Sequence, residues 1–426
     1  MKIAFIAQPL DDLPSRTGSS LAIWVDELAR RFVTLGNDVR VYCAPSANCQ
    51  ESDFAGYDIE RVSTSFDEQV ETGLGIVERR LRWMDQANRE FYNRNYYYSW
   101  PYYFMYANSA ARAVRAFNPD WVILLNFSQF IPVFRFWNKK TRILLMMQCD
   151  WLVELPYRST RRRLSSADAI GGCSRHIAEG IKTRFPEYAS KCHTVYNASD
   201  PDRFNGSGLA SDLVAKLQAE HDLHGKRVVL FVGRMAPEKG VHVLLEAMAA
   251  VLKKHPNTVL LLAGNVSKQP PSPKWTFDAD PEFENFAELN HDYGAVLDDL
   301  GKKLGRSVKF LGHVNHYELP SLYSLADLFV HPAIWDEPFG MIITEAMSCG
   351  TTVISTNVGG IPEIIENSVT GLLARRGSVD DLAIAINKLL DDGELRNQLG
   401  RNGRERTRTT FTWKKTTSSL QNVLRG

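Results

Sequence analysis

The sequence lacks the paired cysteines of a zinc site or a disulfide framework. Its 426 residues include six cysteines, and none forms a Cys-x-x-Cys pair. This usage favours reduced thiols, which are typical of a cytoplasmic protein. Long apolar runs are also missing. The runs that are present, such as residues 143–147 and 259–263, are too short to span a bilayer. Residues 2–7 are a predicted first strand and not a signal peptide, since no cleavage site follows them.

The sequence also lacks an excess of charge of one sign. Fifty basic residues oppose 49 acidic ones, which gives a formal net charge of +1. No global field therefore attracts nucleic acid, and an anionic ligand must be held by local charge. The hydrophobic share of 44% and the charged share of 23% are typical of a globular protein.

Short apolar runs alternate with amphipathic stretches along both halves of the chain. Unbroken apolar strands separated by helices indicate parallel sheets that are buried on both faces. We expect two Rossmann-like, doubly wound α/β domains that face each other across a cleft. The predicted strands are residues 3–7, 39–42, 121–125, 143–147 and 169–171 in the first half, and residues 228–232, 259–263, 308–311, 328–330 and 352–355 in the second.

A polar segment with a proline, residues 196–202, separates the two series of strands. It predicts an N-terminal domain of residues 1–200 and a C-terminal domain of residues 201–405. Residues 406–426 form a helix-compatible tail that carries Phe411 and Trp413. Because these aromatic side chains need an apolar surface to pack on, we expect the tail to return to the N-terminal domain.

The strongest local pattern follows the predicted strand that ends at residue 330. Pro338 and Gly340 break the chain, and a helix is predicted from Met341. The N–H groups and the dipole of such a helix start attract a phosphate. Glu337 and Glu345 lie on either side of this turn, and each is better suited to accept a hydroxyl than to face a phosphate. A favourable acid in the first helical turn and a solvated loop charge are the alternatives.

A second strand and glycine turn occupy residues 231–240, with Gly233 in the turn, and a helix is predicted from Val241. Arg234 and Lys239 flank it, and two cations beside a helix start can neutralise a diphosphate without a metal ion. Both turns belong to one predicted domain, so they are expected to face one ligand. The Gly18–Ser20 turn and the Gly359-Gly360 pair are weaker candidates, for which ordinary tight turns are the alternative.

These motifs together resemble the family 4 retaining glycosyltransferases of GT-B fold. Glu337 and Glu345 form the Glu-x7-Glu pattern inside Glu-Pro-Phe-Gly, and residues 233–240 read Gly-Arg-x4-Lys-Gly. Similar too are Asn197-x2-Asp200-x3-Phe204 and the Ala167-Asp168 pair that Ser174 follows. The resemblance extends from the Gly18 loop to residues 371–373.

The resemblance implies a role for each matching residue. Arg234 and Lys239 would bind the donor diphosphate, Glu345 the ribose, and Glu337 the transferred sugar, in the C-terminal domain. Acceptors would bind to the N-terminal domain. The remaining donor-binding residues implied are Gly18, Ser19, Gly233, Phe339, Gly340 and Met341.

One departure from the family pattern lies after the fourth predicted strand. Cys149 stands where the family usually has histidine, and Asp150 and Trp151 follow it. We expect Asp150 to take over the sugar contact as a catalytic residue; a register error is the alternative. Trp151 would join Tyr97 and Trp100, from the aromatic segment 91–106, in binding the acceptor. The same segment can instead be a helix that packs on the core.

The expected activity is retaining transfer of a hexose from a UDP-sugar, or a GDP-sugar, to a hydroxyl of a glycan, a lipid-linked or a small-molecule acceptor. This activity fits the biosynthesis of cell-surface polysaccharides or glycoconjugates. No metal ion and no cofactor are expected. Basic clusters at residues 79–82 and 158–163 allow peripheral contact with a membrane from the cytoplasm, although solvated helix faces explain them as well.

Three alternative functions were weighed against this one. A metal-dependent transferase would use Asp278-Ala279-Asp280, which lies in an irregular segment and not at a strand end. A NAD-dependent dehydrogenase is disfavoured, because no Gly-x-Gly-x-x-Gly follows the first strand. The third is a non-catalytic sugar-binding or nucleotide-binding protein of GT-B fold.

Overall fold

The computed structural model describes residues 1–11, 13, 19–45, 56–70, 102–207, 212–266 and 292–426. The chain divides into two compact units, residues 1–196 with 416–426, and residues 197–415. The division falls inside the polar segment 196–202. In the first unit, the indole N–H of Trp121 donates to the carbonyl oxygen of Leu424 at 2.8 Å, which ties the end of the chain to this unit.

The first unit contains a seven-stranded parallel sheet of order β3-β2-β1-β4-β5-β6-β7. Its central strands are apolar along their length because both faces of the sheet are covered. The strands are β1 Lys2–Ile6, β2 Asp38–Cys43, β3 Asp58–Arg61, β4 Trp121–Leu125, β5 Arg142–Met147, β6 Ala169–Gly172 and β7 Cys192–Thr194. The helices are α1 Ser20–Thr34, α2 Phe104–Phe117, α3 Phe130–Trp137, α4 Trp151–Glu154, α5 Tyr157–Leu164 and α6 Arg175–Arg184.

The second unit contains a six-stranded parallel sheet of order β10-β9-β8-β11-β12-β13. Its strands are β8 Arg227–Val232, β9 Thr258–Ala263, β10 Val308–Gly312, β11 Leu328–His331, β12 Thr352–Thr356 and β13 Leu372–Ala374. The helices are α7 Asp212–Glu220, α8 Val241–Lys254, α9 Tyr293–Leu304, α10 Leu319–Leu325, α11 Met341–Cys349, α12 Ile361–Ile364, α13 Val379–Asp391 and α14 Gly393–Thr410. The last helix, α15 Trp413–Arg425, continues into the first unit.

Two parallel, doubly wound sheets confirm the predicted fold class. All ten predicted strands are present, with ends that agree within a residue or two. The sequence analysis missed β3, β7 and β13, which are three or four residues long and lie at sheet edges. The side chains of these three strands are only partly buried, so the strands need no continuous apolar run.

The strand order of each sheet reverses direction at one point, between β1 and β4 and between β8 and β11. Ligands of open α/β sheets bind outside the carboxyl ends of the strands at such a switch point. In the second unit, the Arg234–Lys239 turn leaves β8 and the Glu337 turn leaves the neighbouring strand β11. The topology therefore brings both predicted turns to one edge.

The described helices include none with both the length and the apolar composition that a membrane span requires.

Candidate active site

Lys239 and Glu337 meet at the β8/β11 switch point. The ammonium Nζ of Lys239 lies 2.5 Å from Oε2 of Glu337, and the indole N–H of Trp335 donates to the same oxygen at 2.9 Å. The ammonium also lies 4.7 Å from the centre of the Trp335 ring. The two charged side chains are only 16% and 11% exposed. The two turns that the sequence singled out therefore meet, and together they form the candidate site.

The protonation states around Glu337 follow from burial and from Lys239. Burial pushes the pKa of Glu337 upward, but the Lys239 charge, His331 and the hydrogen bonds from Lys239 and Trp335 together outweigh it, and the pKa lies below its ordinary value. His331 is fully buried at the end of β11, with Nε2 3.7 Å from Oε2 of Glu337. Burial lowers the pKa of His331 to about 4. At neutral pH, a carboxylate thus faces an ammonium and a neutral imidazole.

Arg234 also has a carboxylate partner, which the sequence analysis did not foresee. Nη2 of Arg234 lies 2.7 Å from Oε1 of Glu238, a side chain that is 1% exposed. The backbone carbonyl of Glu238 accepts the N–H of Ile334 at 3.0 Å and so joins the two turns. In the part of the chain that the structure describes, each of the two cations thus lies beside one carboxylate.

The two helix starts beside these turns differ. Helix α11 begins after Gly340, whose φ of +96° needs glycine, and within the described chain no side chain caps its first turn. The N–H of Ile343 donates to the carbonyl oxygen of Gly340 at 3.0 Å, which leaves those of Met341 and Ile342 for an outside acceptor. At the start of α8, the Tyr293 hydroxyl accepts the N–H of His242 at 3.2 Å. The α8 terminus is thus partly occupied, and α11 is the better anion site.

Two glycines let the turns approach each other closely. Gly240 has a φ of +69°, and a Cβ there would overlap the carbonyl oxygen of Pro332. Gly359 has a φ of +54°, and its Cβ would overlap the backbone of Glu337. The N–H of Gly360 donates to the carbonyl oxygen of Glu337 at 2.8 Å. The Gly359-Gly360 pair therefore braces the Glu337 turn by close backbone approach.

Glu345 lies on the second turn of α11 and is 2% exposed. Its Oε1 is 2.7 Å from Nε2 of His316, and its Oε2 accepts the Tyr323 hydroxyl at 3.2 Å. Neither partner was predicted, because His316 and Tyr323 lie in none of the sequence motifs described above. The carboxylate is held in a fixed orientation.

The other residues predicted to bind the donor differ in what their side chains do. Gly233 ends β8 at a φ of +141°. Phe339 is 2% exposed and packs edge-on against Phe411, with ring centres 5.7 Å apart, so its side chain is part of the hydrophobic core. Met341 is 8% exposed. Phe339, Gly340 and Met341 can offer a ligand mainly their backbone N–H groups.

In the first unit, Ser19 caps α1 and donates to Oδ1 of Asp11 at 2.9 Å. Asp150 is half-buried just before α4, and Trp151 begins that helix with its ring 6.3 Å from that of Phe127. Burial, with the Asp150 charge, raises the pKa of the Cys149 thiol well above its ordinary value. The Cys149 thiol therefore stays protonated at neutral pH.

Several predicted residues lie outside the described residues. They are Gly18, Tyr97, Trp100, the Asp278–Asp280 triplet and the basic cluster at residues 79–82. Among the residues that the structure does describe, no group of three histidine, cysteine, aspartate or glutamate side chains is arranged to hold a metal ion.

The basic cluster at residues 158–163 is not a uniform patch of solvated charge. Nε of Arg161 pairs with Oε1 of Glu187 at 2.6 Å. Burial lowers the pKa of Arg163. Arg158 and Arg162 are exposed on helix α5. The Glu187 carboxylate therefore offsets the charge of one of these four arginines.

Family models match most of the chain. The model described as Glycosyltransferase Family 4 matches residues 21–203, and the model described as Glycosyl transferases group 1 matches residues 215–406. The second match contains both turns of the site. The matched regions correspond to the two parallel-sheet units.

Similar proteins include Spore coat protein SA of Bacillus subtilis (strain 168), with 32% identity across 61% of this chain and 65% of that protein. A GDP-mannose-dependent alpha-(1-6)-phosphatidylinositol monomannoside mannosyltransferase of Mycobacterium tuberculosis (strain CDC 1551 / Oshkosh) is 30% identical across 66% of this chain and 67% of that protein. The crystal structure of Anabaena Alr3699/HepE in complex with UDP and glucose superimposes with a TM-score of 0.70 at 18% identity, over 100% of both chains. That likeness shows the fold.

Proposed function

Because the chain belongs to glycosyltransferase family 4, we propose that it is a retaining, metal-independent glycosyltransferase that uses a nucleoside diphosphate hexose. The observation that carries this proposal is the meeting of Lys239 and Glu337 at the β8/β11 switch point. A cation, a carboxylate and the open start of α11 together suit a diphosphate and the hydroxyls of its sugar.

Lys239 still has donors for a diphosphate. An ammonium has three N–H donors, and Lys239 directs one of them at Glu337. Its other donors can bind phosphate oxygens while the carboxylate keeps the ammonium in place. Arg234, which Glu238 holds, brings a second cation to the same turn.

We infer that transfer occurs on one face of the sugar. The acceptor oxygen forms a bond to the anomeric carbon while the bond from that carbon to the β-phosphate oxygen breaks. The acceptor proton passes to the leaving diphosphate. Arg234 and Lys239 meet the charge that develops on the diphosphate, and Glu337 orients the sugar through its hydroxyls.

UDP is the favoured donor nucleotide, and GDP is retained because a 30% identical relative is named as GDP-mannose-dependent. The acceptor is a glycan, a lipid-linked or a small-molecule hydroxyl, in surface polysaccharide or glycoconjugate synthesis. Asp150 and Trp151 are the described candidates for the acceptor side. Cytoplasmic location with peripheral membrane contact completes the proposal, and sedimentation with anionic vesicles tests that contact.

The experiment is a donor screen of the purified full chain. UDP-, GDP- and ADP-linked hexoses are tested for a rise in melting temperature, since a ligand that binds only the folded state stabilises it. The stabilising donor is then assayed for hydrolysis and transfer, and NMR assigns the anomer of the product. An inverted anomer contradicts retention. Donor binding without any turnover would support the non-catalytic alternative.

A further inference from the structure

The segment of residues 199–204 supports Glu345 from a distance, and the proposed mechanism gives this segment no role. Oδ1 of Asp200 accepts the N–H groups of Asp202 and Arg203, at 3.0 and 3.4 Å. This carboxylate-capped turn fixes the direction in which Arg203 and Phe204 leave the backbone.

The same segment is anchored on the helix that carries Glu345. The Ser199 hydroxyl lies 2.7 Å from the hydroxyl of Ser348 and 3.3 Å from the carbonyl oxygen of Thr344. Ser199, Thr344 and Ser348 are all buried. The turn at Asp200 therefore has a defined position relative to α11.

Arg203 and Phe204 hold His316, which lies in the loop between β10 and α10. Nη2 of Arg203 donates to the carbonyl oxygen of His316 at 2.5 Å, and the guanidinium lies 4.4 Å from the centre of the Tyr317 ring. The His316 ring packs against Phe204, with ring centres 5.6 Å apart. Backbone and ring contacts together fix the direction of the imidazole.

The imidazole in turn orients the carboxylate. Nε2 of His316 lies 2.7 Å from Oε1 of Glu345, and a carboxylate only accepts, so Nε2 carries the proton. Tyr323 donates to the other oxygen. A carboxylate has about four acceptor sites, so two protein donors leave acceptors for two further hydroxyls. A ribose presents two neighbouring hydroxyls.

We propose that His316 is a positioning residue for the nucleoside end of the donor. It holds Glu345 so that the remaining acceptor sites of the carboxylate face the ribose diol, and preference for ribonucleotides over deoxyribonucleotides depends on it. This inference rests on the proposed function, in which Glu345 binds the ribose. Arg203 acts one step further out, by holding the His316 loop.

The test is a cycle of protein variants and ligand variants. Calorimetry measures binding of UDP, GDP and ADP to the full chain, and then of the 2′-deoxy and 3′-deoxy forms of the tightest one. The wild type should lose about tenfold or more in affinity when the hydroxyl that meets Glu345 is removed. His316→Ala should bind the ribonucleotide about tenfold more weakly and lose most of this discrimination.

Three variants separate positioning from folding. His316→Gln should restore discrimination, because its amide N–H can donate to Oε1 of Glu345. Arg203→Ala should reduce discrimination in part, and it keeps the inference testable if His316→Ala does not fold. His313→Ala removes an exposed histidine from the same loop and should leave both affinities unchanged.

Failure of this inference and failure of the proposed function would give different results. Equal weakening of the ribonucleotide and its deoxy forms in His316→Ala would give His316 a structural role only and overturn the inference. Unchanged discrimination would do the same. If the wild type binds none of UDP, GDP and ADP, the proposed function itself fails, and the inference fails with it.

Discussion

Replacing Lys239 with methionine tests both the stability and the chemistry of the site. Methionine has nearly the same length but no charge, so Glu337 would stay buried without its cation. Breaking a buried ion pair from one side costs about 3 kcal/mol of unfolding free energy. Losing a cation that meets developing phosphate charge should slow transfer about a hundredfold.

The double variant Lys239→Met/Glu337→Gln separates the two effects. With the carboxylate also neutral, no uncompensated charge remains buried, and stability should return to within about 1 kcal/mol of the wild type. Activity should not return, because the cation is still absent. Stability recovered without activity would show that the two side chains of this pair act on the ligand as well as on each other.

The pH dependence of the single variant has a definite sign. In the wild type, the pKa of Glu337 is lowered, so its contribution to stability is present above the ordinary glutamate value and is lost as pH falls. Without Lys239, burial raises this pKa against only the weaker opposing effects of the Trp335 hydrogen bond and His331, so the variant gains relative stability as Glu337 takes a proton. The difference between the two chains should be largest at pH 7 and should shrink towards pH 5.

Lys254→Met is the matched control. Its ammonium also lies 2.5 Å from a carboxylate oxygen, that of Asp391, but both side chains are about half exposed. An exposed pair contributes at most about 1 kcal/mol. Urea unfolding followed by circular dichroism measures both variants, and transfer assays measure turnover. Equal costs for Lys239→Met and Lys254→Met, or wild-type turnover by Lys239→Met, would refute the reasoning.

Three further predictions concern titration, backbone and metal. Burial lowers the pKa of His242 and His331 to about 4, so unfolding takes up protons as pH falls, and stability should drop between pH 6.5 and 5 by about 2 kcal/mol for each histidine. Replacing both with glutamine should flatten this slope in urea titrations; an unchanged slope assigns it to other groups. Gly240 and Gly225 share a φ of +69°, but only at Gly240 would a Cβ overlap Pro332. Gly225→Ala should therefore lower the free energy of unfolding by about 1 kcal/mol, and Gly240→Ala should lower it by clearly more. Equal losses would argue against a close approach of the backbone at Gly240. Transfer should survive EDTA, and activity that is lost and then restored by Mn²⁺ would contradict a metal-independent reaction.

The fold could be predicted from the sequence because the buried strands are continuous runs of apolar residues. Residues 121–125 and 259–263 leave few readings other than a strand in a sheet covered on both sides. The short edge strands carry no such pattern. The Cys192–Thr194 strand, for example, forms because β6 offers it a free edge, which is a property of the assembled sheet.

The two turns of the candidate site could be predicted from the sequence, but the partners of their charged side chains could not. Lys239 and Glu337 are 98 residues apart, and only the strand order β8-β11 brings them together. Glu238 lies inside a quoted motif, yet its burial depends on the turn after β11. His316 lies in no motif, and its contact with Glu345 follows from the packing of Phe204.

The balance of charge at the site bears on how a donor is recognised. Among the described residues, Arg234 pairs with Glu238 and Lys239 with Glu337, so a diphosphate in the proposed site would meet two cations that carboxylates already balance. A phosphate group alone would then gain little from long-range attraction. On the proposed function, affinity would come from contacts along the whole ligand, from a diphosphate at Lys239 to a ribose at Glu345. Because α11 carries both its N-terminus and Glu345, the orientation of this one helix would align the two ends of the proposed donor.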